Sequence, residues 1–114
     1  MRYMVMHYSD EANEAGTPPS PDVIAGVGQY MEEAVRSGVL LAAEGVAPSS
    51  AGARLTVDGG KVTVIDGPFA EAKELIAGFA ILDVPSKEEA IEHAKRFAQI
   101  VGATKIDVRL VAEF

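Results

Sequence analysis

The chain has 114 residues, no cysteine, and ten basic against seventeen acidic side chains, for a formal net charge of −7. That length suits one domain burying its own core, and the missing cysteines exclude disulfides, thiolate metal sites and cysteine nucleophiles. The acidic balance, with no basic run, opposes direct nucleic-acid binding, and no stretch reaches the ~20 apolar residues of a membrane span. The N-terminal residues lack a signal-peptide pattern, so the expected setting is the cytoplasm.

Residues 3–8 read as a strand that is apolar on both faces, with Tyr3 and Val5 on one and Met4 and Met6 on the other. Such a strand belongs in the middle of a sheet. Residues 9–21 are polar and carry Gly16, Pro18, Pro19 and Pro21, the composition of a loop. Ser20-Pro21 then opens a helix whose apolar stripe is Val23, Val27, Tyr30, Met31, Ala34 and Val35, ending at Gly38. Gly26 and Gly28 each weaken it by about 1 kcal/mol relative to alanine, and close packing on the sheet is the expected compensation.

A second strand is predicted over 39–46, with Glu44 inside an apolar run, followed by a loop over 48–52. Segments 53–58 and 61–66 alternate and meet at Gly59-Gly60, a strong hairpin signal because such turns need positive φ. Arg54, Thr56, Lys61 and Thr63 predict one wet hairpin face. Residues 67–75 break the pattern and 76–84 resume it as an apolar strand. Ser86 and Glu89 form a capping box for a second helix striped by Ala90, Ile91, Ala94, Phe97, Ala98 and Val101, which Gly102 ends. The last strand is expected over 106–112.

With the hairpin set aside, this order is the split β-α-β repeat of a ferredoxin-like α+β sandwich in a single domain. Both helices of that fold lie on one side of the sheet, whereas three of the strands are apolar on both sides. A second copy laid sheet against sheet would cover the open face, so a homodimer is expected. The alternative is that the inserted hairpin folds over it.

The most distinctive run is Asp66-Gly67-Pro68-Phe69-Ala70-Glu71-Ala72-Lys73-Glu74. With Arg2-Tyr3-Met4, Gly78-Phe79 and Glu113-Phe114 around it, the chain resembles the DGPF-domain proteins of the YCII-related family over nearly its whole length. The resemblance implies a ferredoxin-like chain in a dimeric α/β-barrel assembly. It also implies a regulatory setting beside extracytoplasmic-function sigma factors, and in some relatives a histidine–aspartate enzyme. The histidine of that pair would lie in the first helix, where this chain has none; its own histidines are His7 and His93. The dyad is therefore not carried over. His93 is expected to be solvated and His7 to be a satisfied interior histidine.

Asp66, Gly67 and Pro68 suit a turn lock, with Asp66 bonding backbone amides and Phe69 as an anchor. Glu71 and Lys73 share a face in an extended segment, Glu74 joins Glu71 if the segment turns helical, and Glu44 must be paired, hydrated or protonated. These five charges, Glu44, Asp66, Glu71, Lys73 and Glu74, define a candidate cleft for a small molecule or a protein partner. The alternative is acid–base chemistry by the same carboxylates. No phosphate loop, nucleophile elbow or zinc pattern occurs, and nothing calls for a haem, a flavin or another cofactor.

Overall fold

Strand β1 (Arg2–Tyr8) occupies an inner position of a four-stranded antiparallel sheet ordered β2-β5-β1-β6, where β2 is Leu40–Gly45, β5 is Ile76–Asp83 and β6 is Ile106–Leu110. The computed structural model describes all 114 residues. Helices α2 (Pro21–Arg36) and α3 (Lys87–Val101) connect the strands, and the order is that of a ferredoxin-like α+β sandwich. Strands β3 (Ala53–Asp58) and β4 (Lys61–Asp66) form a separate two-stranded sheet.

Both long helices start where their side chains can satisfy the first backbone amides: Ser20 accepts from the Val23 N–H and Ser86 from the Glu89 N–H. Gly102 ends α3 in the left-handed region at φ 70°, the conformation glycine adopts at least cost. Gly26 serves helix–helix contact rather than helix–sheet contact, since a Cβ there would lie 3.0 Å from Ile100 Cγ2.

The expected loop over 9–21 contains a short helix, α1 (Glu11–Glu14). Asp10 caps it by accepting from the Asn13 N–H at 2.8 Å. A single turn is too short to hold itself, and α1 is tied to the following loop. The Glu14 carboxylate accepts from the Ser49 N–H at 2.9 Å and from the Ser49 hydroxyl, while Ser49 Oγ accepts from the Phe69 N–H at 2.9 Å. The Gly67 N–H donates to the Gly52 carbonyl at 3.0 Å. The turn lock thus differs from expectation: Asp66 is exposed and plays no part in these bonds, because Ser49 reaches the backbone first. A Cβ on Gly67 would stand 1.7 Å from the Ser49 carbonyl oxygen, so only glycine fits.

The core is small and sits at one end of the helix–sheet interface, where Tyr3, Val5, Leu82, Val84, Ala90 and Ala94 form one buried cluster. Alternation along the paired strands puts Met4, Met6, Phe79 and Ile81 on the opposite face, with Met4 beside Ile81 and Met6 beside Phe79. Neither helix covers that face, and the hairpin does not fold over it: every residue of β3 and β4 is exposed. The expected wet face is present, with Arg54, Thr56, Lys61 and Thr63 together on one exposed side, and the apolar face behind it is also open within the single chain. The projecting hairpin also raises the radius of gyration to 15.7 Å, against about 13 Å for a compact chain of this length.

Two substitutions probe this framework. Leu82→Ala, in the most deeply buried large side chain, should cost about 2–5 kcal/mol in denaturant unfolding. Gly67→Ala forces the backbone away from Ser49 and should lower the thermal midpoint while leaving the helical signal in circular dichroism intact.

Candidate functional site

Side-chain size falls along the helix-facing side of β5, from Leu82 through Ala80 to Gly78. Beside it on β1 the same face carries Tyr3, Val5 and then His7, with His7 opposite Gly78. Past the core cluster, therefore, the sheet drops away from the helices. A cavity of about 700 Å³ fills the gap. Its walls are mostly apolar, with Val5 from the sheet, Val23, Val27 and Met31 from α2, and Phe97 and Val101 from α3.

Among the polar residues of the lining, His7, Tyr30 and His93 stand between the sheet and the two long helices. The His7 ring stacks on Phe97 with centroids 5.3 Å apart and an interplanar angle of 11°. On its other side it lies against the sheet, where a Cβ on Gly78 would come within 3.3 Å of His7 Cε1 and Nε2 and 3.0 Å of the Glu44 carbonyl oxygen. Gly78 thus makes room for the imidazole. His7 is half-buried and its ring makes no hydrogen bond within the chain, so it is not the satisfied interior histidine expected. Burial pushes its pKa below the ordinary value of 6.5, leaving a neutral ring with a free nitrogen at the cavity.

Tyr30 is buried, and its hydroxyl lies 3.3 Å from His93 Nδ1 and donates to the His93 carbonyl at 3.4 Å. Burial raises its pKa, with the Arg96 guanidinium opposing that shift. His93 is therefore partnered and half-buried rather than solvated. Asp10, Asn13 and Glu14 form a polar rim to the cavity. On the opposite sheet face, the Tyr8 hydroxyl donates to Asp107 Oδ2 at 2.6 Å and Lys105 Nζ sits 4.0 Å above the Tyr8 ring.

Of the five charges read from the sequence, only Glu44 borders this cavity, with its backbone carbonyl beside Gly78, while its pairing with Phe79 places the carboxylate on the opposite sheet face. It is exposed, which resolves its cost by hydration. Asp66 ends β4, Glu71 precedes a 3-10 turn, and Lys73 and Glu74 lie on that turn; all four are exposed. None of the five joins the protein's four ion pairs, and no cluster of three or more His, Asp or Glu side chains has metal-binding geometry. The turn packs against α1, so Lys73 and Glu74 stand behind the cavity rim rather than inside it. Phe69, half-buried, lies under the Arg54 guanidinium at 4.1 Å. Sequence reading passed over Tyr30 as a stripe residue; the signal available was a polar tip on an otherwise aliphatic helix face.

Comparison with known proteins places this geometry in context. An uncharacterized protein from Rhizobium meliloti (strain 1021) is 33% identical over 97 residues, which span 83% of this chain and 78% of that protein. A solved structure of 5-chloro-2-hydroxyhydroquinone dehydrochlorinase from Burkholderia phenoliruptrix AC1100, in complex with 2,5-dihydroxybenzoquinone, superposes with a TM-score of 0.54. That likeness covers 100% of this chain and 96% of the other at 9% identity, and it establishes the shared fold alone. The model of the YCII-related domain matches residues 1–113, and the chain accordingly belongs to the YCII-related domain family.

Proposed function

We propose that this YCII-related domain binds a compact, mostly apolar small molecule, a hydroxylated or quinoid ring, in the cavity between the sheet and the helix pair. The observation that carries this reading is the neutral His7 ring, without a hydrogen-bond partner, in a mostly apolar wall around about 700 Å³ of space. A pocket of that size and lining suits one small ring system, with a single polar group fixing its orientation. His7 would accept a hydrogen bond from the ligand hydroxyl, and the Phe97–His7 stack would offer the ring a flat neighbour. The dihydroxybenzoquinone held by the fold relative is a ligand of this chemical class.

The neutral imidazole favours a second reading, acid–base catalysis in the same cavity. A buried base with a lowered pKa and a free nitrogen can take a proton from an acidic ligand hydroxyl. In that reading His7 replaces the five surface charges as the proton acceptor.

Glu71, Lys73 and Glu74 then belong to the exterior. They stand exposed where the 3-10 turn meets α1, and α1 borders the cavity. A partner protein sensing the ligand, a sigma factor in the setting the family resemblance implies, would meet this surface. We further take the working form to be a homodimer, because the apolar sheet face of Met4, Met6, Phe79 and Ile81 has no cover within the chain.

Calorimetric titration with 2,5-dihydroxybenzoquinone and with catechol tests the binding reading. Saturable binding of one molecule per chain is expected, weakened about tenfold by His7→Gln through loss of one buried hydrogen bond and abolished by Val27→Trp, which fills the cavity. Heat signals that Val27→Trp leaves unchanged would place any binding elsewhere and remove the reading. Turnover of either probe that vanishes in His7→Gln would favour the enzyme.

A pH series adds a second check. The folded-state pKa of His7 lies below its unfolded value, so the unfolded chain binds the extra proton first as pH falls. Its contribution to stability is complete above pH about 6.5 and declines below it. Ligand affinity should fall with it as the acceptor nitrogen is protonated. His7→Gln should flatten both trends between neutral pH and the carboxylate range.

A further inference from the structure

We infer that the β3–β4 hairpin is an intermolecular arm whose apolar face packs on a second copy of this chain. The register of the hairpin sets Leu55 opposite Val64 and Val57 opposite Val62, so these four aliphatic side chains share one face. They are 61%, 61%, 69% and 53% exposed, respectively, and thus meet almost nothing in their own chain. The other face carries Arg54 beside Ile65, Thr56 beside Thr63 and Asp58 beside Lys61, an ordinary wet surface. An isolated two-stranded hairpin is marginal in water and needs its apolar face covered.

Size and charge identify the occupant. The four side chains offer on the order of 400 Å² of apolar surface, as large as the biggest patch on an ordinary monomer and half the ~800 Å² per partner of a standard interface. The half-buried sheet face of Met4, Met6, Phe79 and Ile81, which neither helix covers, adds to it on the same chain. Two uncovered apolar surfaces on one chain, neither covering the other, are what a two-fold pair buries twice over. The chain carries −7 overall, yet residues 53–66 hold two basic side chains, Arg54 and Lys61, against two acidic ones, Asp58 and Asp66. The hairpin is thus electrically neutral, and a second acidic copy repels it less than the remaining surface.

This inference rests on the homodimer proposed above and specifies its contact. Sedimentation velocity over the micromolar range compares the native chain with Val57→Lys/Val62→Lys and with the milder Val57→Thr/Val62→Thr, each checked for fold by circular dichroism. The expected result is a native dimer, dissociation weakened about 100-fold or more by the lysine pair and about tenfold by the threonine pair, as for central interface side chains, with the spectrum unchanged. If the lysine pair unfolds the chain, the threonine pair decides alone. A folded variant that dimerises as tightly as the native chain overturns the arm while leaving the homodimer standing. A native chain that sediments as a monomer overturns both, and in neither case does ligand binding at His7 change.

Discussion

The structure depends on a taper. On the helix-facing side of the sheet, β5 presents Leu82, Ala80 and Gly78 in order, and each step removes volume just where a neighbouring strand or helix would otherwise close the gap. At the Leu82 end, Tyr3, Val5, Ala90 and Ala94 fill the space and make the core. At Gly78 no side chain stands on β5 until Ile76 at the strand's start, and Ile76, Phe97 and Val101 border the cavity. One interface is therefore packed at one end and hollow at the other. Close-packed interiors rarely leave such voids without a use, because every wall atom forgoes dispersion contacts it would have in a filled core. That cost makes the hollow end the natural place for a ligand.

The same taper determines the state of His7. Opposite a larger residue, the imidazole would be driven away from the sheet; opposite Gly78 it lies against the backbone, capped by Phe97. An aromatic ring on one side and a glycine backbone on the other offer it no hydrogen bond, and partial burial penalises its charged form. Neutrality and an unsatisfied nitrogen are thus consequences of packing rather than of a charged partner. Tyr30 meets the Nδ1 and the carbonyl of His93 in the same cavity, so these two contribute a linked polar pair to the wall, whereas the His7 ring stands alone.

Much of this was legible in the sequence. Period-2 and period-3.6 patterns, Gly59-Gly60, Ser86 with Glu89, and the glycines after both helices place every main strand and helix close to where it lies, because each is a local rule that tertiary packing did not override. What escaped is non-local. Glu14 and Ser49 are 35 residues apart, and no local rule joins an acid in a polar loop to a serine in another. His7 was misjudged for the same reason: its hydrogen-bond status depends on Gly78, a neighbour only through strand pairing. The five charges share a type rather than a place, since a charged side chain on a strand edge or a short turn is hydrated wherever water reaches it, and here water reaches all five. The hint that was available lay in Gly78-Phe79-Ala80-Ile81-Leu82, where alternate positions run glycine, alanine, leucine; read at the strand period, that is a wall sloping away from its cover.

The signature run acquires a role from its distance to the cavity. Gly67 lies against the Ser49 carbonyl, the Phe69 amide holds Ser49 Oγ, and Ser49 in turn holds the Glu14 carboxylate. Glu14 belongs to α1, a single turn of helix that has no buried residue of its own and so cannot be held by hydrophobic contact. Without the Ser49 link, the polar rim of the cavity would be an untethered loop paying its full conformational entropy to stay ordered. The motif thus acts as a brace: none of residues 66–74 lines the cavity, but through Ser49 they hold the Glu14 segment of its rim. The brace constrains the edge of the cavity, while Val23, Val27, Met31 and His7 line the space itself.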